Sequence, residues 1–305
     1  MHYETAGGGE VPVSPGIEGL PGIREAVDEI RRERVRGAAW AAYRAAVGVL
    51  DDLEAGRDPC ALAGAAANAI EAANPSMASL ANVAHILRLA CERGILDSAM
   101  RRLVDVLSRY RQELIEAARS LSVGVLVVTV SYSSSVEAAL RAWRGEVEVV
   151  VAQSLPGGEG VELARLLRSA GFPVRVAPDM ATHLYLENAS LLAFGADTVT
   201  RDGCIVNKVG TRLLAEAARS RGVKTLVVFE PYKVHPRLRC GEVPVERWTV
   251  RIEGWGDEVV PVFDETPPSL VTAALTPGGL VEWGSKAESE ASRIHREFVK
   301  RVLEE

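Results

Sequence analysis

The chain has 305 residues, 48% hydrophobic, 25% charged and 5% aromatic, with a formal net charge of −6. That is enough chain for two domains or one large one with a sizeable core, and the composition excludes a disordered or fibrous protein. With no run of about 18 apolar residues, no basic or apolar leader at the start and only mild acidity, a cytoplasmic protein is expected, without membrane span, signal peptide or general nucleic-acid affinity.

In chain order, residues 1–20 hold Gly and Pro without periodicity and are expected to form a loose tail. Helical patterning follows over 21–35, 37–55, 58–92 (interrupted by Pro75) and 95–121. The last of these spaces Met100, Leu103, Leu107, Tyr110, Leu114 and Ala117 at three or four residues, as an amphipathic helix requires. Near residue 122 the pattern changes to short apolar runs separated by helical ones. The runs 123–130, 147–153, 173–178, 196–200 and 225–230 read as strands, and 136–143, 160–170, 182–194 and 211–221 read as helices. Continuous apolarity marks strands covered on both faces, hence a parallel sheet. The expected fold class is α/β: an all-helical N-terminal domain over 21–121 and a doubly wound, Rossmann-like parallel sheet domain over 122–305.

Cys60, Cys91, Cys204 and Cys240 lie far apart with no C-x-x-C pair. They read as free buried thiols, an intracellular disulfide being the alternative, and no metal is expected. Neither a G-x-G-x-x-G nor a Walker motif is present, so no cofactor is expected.

In a doubly wound sheet, ligands sit at the carboxyl ends of the strands, where the strand order reverses. The first strand end carries Ser131, Tyr132 and Ser133–Ser135 before a helix. Hydroxyls and backbone N–H groups there suit an anion, or a serine simply caps the helix. Asp197 follows Gly195-Ala196 at a strand end, where a carboxylate serves as general acid or base or as a loop cap. Asn207 and Lys208 lie between the Gly203 turn and a helix opening at Thr211. In a chain with thirty Arg and five Lys among its 35 basic residues, Lys208 there reads as a phosphate ligand rather than a solvated lysine. Arg36, Gly37 and Ala38 sit at a helix start, where Arg36 can clamp a phosphate or satisfy a loop carbonyl. His85, His183 and His235 read as ordinary helix or loop residues.

Three stretches, GADTVTRDGCIVNKVGTRLLAEAA (195–218), EPYKVHP (230–236) followed by GEVPVE (241–246), and VFDETPPSLVTAALTPGGL (262–280), together resemble one family. It joins the alpha, beta and delta subunits of eukaryotic initiation factor 2B with archaeal ribose-1,5-bisphosphate isomerase and methylthioribose-1-phosphate isomerase. The resemblance spans residues 22–285 and implies a helical domain ahead of a Rossmann-like one. From the isomerases it implies an aldose–ketose conversion of a ribose 1-phosphate by a cysteine and an aspartate. Asp197 matches that aspartate, Asn207 and Lys208 match an Asn-Lys pair on phosphate and sugar, and Arg36, Gly37 and Ala38 match a phosphate-binding Arg-Gly-Ala. Ser131, however, stands at the cysteine's place, Leu155-Pro156 at an Arg-Pro, and Asn74-Pro75-Ser76 at an Arg-Pro-Thr.

A thiol exchanges a proton near neutral pH, whereas a serine hydroxyl without a base does not. Losing two guanidiniums removes two bidentate anchors, each charged hydrogen bond contributing about 1.5–3 kcal/mol. Ser131-Tyr132-Ser133 and PPSLVT (267–272) are similar to the initiation-factor subunits instead. The resemblance therefore implies a protein that binds a phosphorylated ribose or nucleoside monophosphate through Arg36, Ser131, Ser133, Ser134, Asn207 and Lys208, with Asp197 on a ribose hydroxyl. An isomerase working through Asp197 and an oligomeric scaffold without ligand are the alternatives. It also implies a homodimer or larger even oligomer, with FDETPPSL (263–270) and EWGSK (282–286) at the interface, and makes a translation factor a candidate partner.

Overall fold

A computed structural model describes residues 16–33 and 36–304 of the protein. Five helices come first: α1 (Pro21–Arg32), α2 (Ala38–Glu54), α3 (Ala63–Glu71), α4 (Ala78–Glu92) and α5 (Leu96–Ala118). Pro21 opens α1, where its missing N–H costs nothing. The N–H groups of Gly22 and Ile23 donate to the buried Asp52 carboxylate of α2, each at 2.9 Å. A Cβ on Gly22 would lie 2.6 Å from the Gly48 carbonyl oxygen, so this glycine pair sets how closely α1 and α2 cross. Pro75 lies in the break between α3 and α4, and α5 buries Met100, Leu103, Tyr110 and Leu114, as its periodicity predicts.

The second part alternates strands and helices: β1 (Leu126–Thr129), α6 (Ser134–Ala142), β2 (Glu148–Ala152), α7 (Glu159–Ser169), β3 (Val174–Ala177), α8 (Asp179–Thr182), β4 (Leu191–Phe194), β5 (Thr198–Val199), β6 (Ile205–Lys208), α9 (Thr211–Ser220) and β7 (Lys224–Val228). There follow β8 (Arg247–Ile252), β9 (Gly256–Pro261), β10 (Phe263–Thr266), β11 (Ala273–Thr276), β12 (Gly279–Glu282) and α10 (Ala287–Leu303). The main sheet has the order β12-β11-β7-β4-β1-β2-β3, parallel throughout except for β12. Two apolar cores cover its faces, one around Phe194, Phe229 and Trp283, the other around Trp143, Val149 and Leu275. A small antiparallel sheet, β10-β6-β5, and the β8–β9 hairpin complete the chain. From β1 the chain runs outward through β2 and β3, while β4 lies on β1's other side, so the order reverses between β1 and β4. Helix α10 returns to the helical layer, where Phe298, Val302 and Leu303 join the core around Leu103 and Tyr110.

The fold is thus a helical N-terminal part followed by a mainly parallel α/β sheet, as expected, with several local departures. Residues 182–194 are not one helix: a short 3-10 turn, His183–Glu187, leads into the central strand β4. Conversely, 196–200 supplies only β5, outside the main sheet. Of the expected tail, residues 1–15 lie outside the described residues, as do 34 and 35 of the first predicted helix, but Ile17 and Leu20 are buried core residues. The cysteines are not free thiols: Cys60 pairs with Cys91 and Cys204 with Cys240, their Cα atoms 5.4 and 5.6 Å apart. Leu270 and Trp283, apolar residues of the segments expected at an interface, are buried within this chain's own core. Among the described residues no helix is long and apolar enough to cross a membrane.

Candidate functional site

A cleft of about 780 Å³, counting its open mouth, lies at the carboxyl ends of the strands where the order reverses. Its walls bring together nine residues singled out from the sequence, Arg36, Gly37, Ala38, Ser131, Ser133, Ser134, Asp197, Asn207 and Lys208, while Ser135 is buried against Glu230 and Lys233. The turn after β1 supplies the serines. Ser131 adopts a positive φ of 68°, rare for a side-chain-bearing residue, and its N–H donates to Ser154 Oγ at 2.7 Å. Ser133 accepts from the Val136 N–H and so caps α6, the capping role the sequence left open, while its side chain stays on the cleft wall. Gly195 makes this packing possible, because a Cβ there would sit 2.3 Å from Ser133 Oγ.

Asp197 leaves β4 through Gly195-Ala196 and is held by its N–H, which donates to the Val206 carbonyl at 2.9 Å. Burial pushes its carboxyl up to about 6, against the opposing pull of the Lys233 and Lys208 ammonium groups. A carboxyl titrating there holds or releases a proton near neutral pH. Asn207 donates from Nδ2 to Thr211 Oγ1 at 3.0 Å. Lys208 ends β6 rather than opening a helix, and it is not a solvated lysine: it is 2% exposed, with Nζ 2.7 Å from Glu159 and 5.2 Å from the centre of the Trp248 ring. Arg36 stands exposed at the mouth, its guanidinium over the Trp40 ring and beside Glu33. Gly37 and Ala38 begin α2, whose first-turn N–H groups have no partner within the helix.

Several lining residues did not emerge from the sequence as ligands. Glu159 and Glu246 bring carboxylates; Trp248 donates to Glu246 at 2.7 Å, and Asn74, where the isomerases of the resembled family have arginine, donates to Glu246 at 3.3 Å. Lys233 is buried and donates to Ser135 Oγ at 2.9 Å, beside Glu230 at 3.0 Å. Lysine scarcity and its place after β7 were the available signals for Lys233; nothing in the local sequence marks Trp248. Leu155 does not line the cleft, and its N–H is taken by the Asp179 carboxylate at 2.8 Å. The lining therefore carries four acids (Glu33, Glu159, Asp197, Glu246) against three bases (Arg36, Lys208, Lys233). Each base already has an acidic neighbour, so an incoming phosphate must share its cations. Among the described residues no imidazole or thiol lines the cleft, so Ser131 has no histidine there to activate it. Among the described residues no cluster of three or more His, Cys, Asp or Glu suited to a metal ion occurs.

The family model described as the Initiation factor 2 subunit family matches residues 34–282. A Pyrococcus horikoshii protein named as an eIF-2B subunit 2-like translation initiation factor is 33% identical over 271 residues, covering 85% of this chain and 96% of its own. The ribose 1,5-bisphosphate isomerase of Haloferax volcanii is 30% identical over 289 residues, 85% of this chain and 88% of its own. The crystal structure of the Pyrococcus horikoshii OT3 translation initiation factor eIF-2B superposes with a TM-score of 0.78 at 33% identity, covering 85% of this chain and 96% of that one.

Proposed function

The chain belongs to the Initiation factor 2 subunit family, and on that premise we propose that its cleft binds a phosphorylated ribose or nucleoside monophosphate without efficient isomerase chemistry. The observation that carries this reading is the convergence of Lys208, Asn207, the Ser131–Ser134 turn and the start of α2 on one cleft that, among the described residues, has neither thiol nor imidazole. Lys208, Asn207, the serine hydroxyls and Arg36 take the phosphate, and Asp197 takes a ribose hydroxyl. Aldose–ketose conversion moves a proton between neighbouring carbons and needs a second acid or base beside Asp197. Ser131 has no imidazole to ionise it, and Glu159 and Lys233 are each held in an ion pair, with Lys208 and with Glu230. Calorimetric titration with AMP and ribose 5-phosphate tests the pocket: saturable one-to-one binding is expected, and no heat with either ligand overturns it in favour of a scaffold without ligand.

A second reading, an isomerase of a ribose 1-phosphate, draws on Asp197 itself, whose carboxyl titrates at about 6 next to the Lys233 ammonium. Turnover of ribose 1,5-bisphosphate or methylthioribose 1-phosphate by the purified protein, abolished in Asp197→Asn, would establish it. The named relatives also motivate a homo-oligomer and a translation-factor partner. Sedimentation at micromolar concentration showing only monomer removes the oligomer.

A further inference from the structure

A second pocket, sharing no lining residue with the cleft, lies between α10, the turn after β5 and the loop after β7. Its polar lining is Arg201, His235, Ser292, His295 and Arg296, and among the described residues no carboxylate lines it. This differs from the cleft, where acids outnumber bases. The guanidiniums of neighbouring arginines are tied up: Arg237 pairs with Glu71, Arg239 with Glu288, and Arg293 with Glu290 and Glu297. Arg201 and Arg296, both exposed, form no ion pair among the described residues.

The two imidazoles are oriented by the fold. Nδ1 of the buried His235 accepts the N–H groups of Arg237 and Leu238 at 3.1 and 2.9 Å, which puts the proton of the neutral ring on Nε2. That N–H has no protein partner among the described residues. Asn82 donates from Nδ2 to the carbonyls of Ala78, Tyr232 and Val234, so its Oδ1 is the acceptor that His295 Nε2 donates to at 2.9 Å. Burial and neighbouring positive charges hold both rings down to about 4, so at neutral pH they are uncharged and the two guanidiniums supply the charge. The adjoining depression shares His295 and Arg296 and adds Arg93 and Lys300, with Glu304 beside Lys300.

Among the described residues, two guanidiniums without an ion pair, a buried imidazole N–H and a hydroxyl line one pocket without a carboxylate, so donors and positive charge outweigh the acceptors there, the Nδ1 lone pair of His295 among them. We propose that this pocket is a second ligand site of the protein and binds a phosphate-class oxyanion, either the free ion or the phosphoryl group of a larger molecule. The inference does not depend on what the cleft binds.

Among the described residues no histidine lines the cleft, so the His235 and His295 signals report on this pocket separately. The full-length protein, labelled with ¹⁵N-histidine, is titrated with inorganic phosphate and with ribose 5-phosphate at constant ionic strength, with chloride as control. Saturable shifts of the His235 and His295 resonances with phosphate but not chloride are expected. Arg201→Gln combined with Arg296→Gln, both at exposed positions, is expected to weaken the response at least ~10-fold. A tighter response to ribose 5-phosphate assigns the anion to a larger ligand, and an equal one assigns the free ion; both support the site. Unmoved histidine resonances, equal shifts with chloride, or an undiminished response in the double variant would overturn it.

Discussion

Glu159→Gln separates what Lys208 does for the fold from what it does for a ligand. Lys208 is 2% exposed and Glu159 25%, and their charged atoms lie 2.7 Å apart. Removing one partner of a fully buried pair costs about 3–5 kcal/mol, because the other charge is left without compensation. Here Glu159 is partly solvated and Asp197 remains as a second anion acting on Lys208, which brings the expected loss to about 1–2 kcal/mol. A phosphate gains from the same change, because it no longer shares the ammonium. A hydrogen bond to a charged group contributes about 1.5–3 kcal/mol, and recovering most of one tightens binding by about tenfold. Stability and affinity therefore move in opposite directions. Urea denaturation at neutral pH gives the first, with unchanged slope and a lower midpoint; calorimetric titration with ribose 5-phosphate gives the second. Weaker or unchanged affinity in Glu159→Gln would refute Lys208 as the phosphate's partner. An unchanged midpoint would refute the pair as what holds Lys208 in the cleft floor.

Three further outcomes are expected. Asp197 titrates at about 6 when folded against 3.8 for the free group, so the native state retains a proton that the unfolded chain has lost between those values. This contribution makes stability fall as pH rises through that window, so the stability of Asp197→Asn relative to wild type should increase between about pH 4 and 6. A difference that stays flat over that range contradicts the assignment. Gly195→Ala drives a Cβ into Ser133 and displaces the cap of α6, for an expected loss of about 2–3 kcal/mol from overpacking and a lost cap. Most of that loss should vanish in a Ser133→Gly background, and purely additive effects in the double-mutant cycle would count against the contact. The Cys60–Cys91 and Cys204–Cys240 links span separations of 31 and 36 residues, for which loop-closure entropy gives roughly 3–4 kcal/mol each. Dithiothreitol should accordingly lower the urea midpoint, and identical unfolding curves with and without reductant would show that the links contribute nothing.

The sequence carried the fold class because apolar periodicity changes from three-to-four spacing to continuous runs near residue 122, and the sheet follows from that change. It misplaced β4 because Leu191–Phe194 follows a stretch whose apolar residues also recur at helical spacing, and a four-residue apolar run has no period of its own. It missed the disulfides because Cα proximity depends on helix packing and on how the loops after β5 and β7 meet, which residue spacing does not encode. Motif residues such as Asp197, Asn207 and Lys208 were legible. Their neighbours Glu159 and Trp248 were not, because the charge balance of the cleft arises from three separate segments that only the topology brings face to face.

Helix α10 has a consequence for how the protein is made. Phe298, Val302 and Leu303 complete a core otherwise built largely from residues before 111, and Arg102 donates to the Val302 carbonyl across 200 residues of chain. During synthesis the five leading helices emerge first, yet their shared apolar face stays incomplete until residues near 303 have left the ribosome. The nascent helical layer is thus exposed for most of translation, the period in which it most needs a chaperone. Ending the chain before α10 would harm the first hundred residues as much as the last.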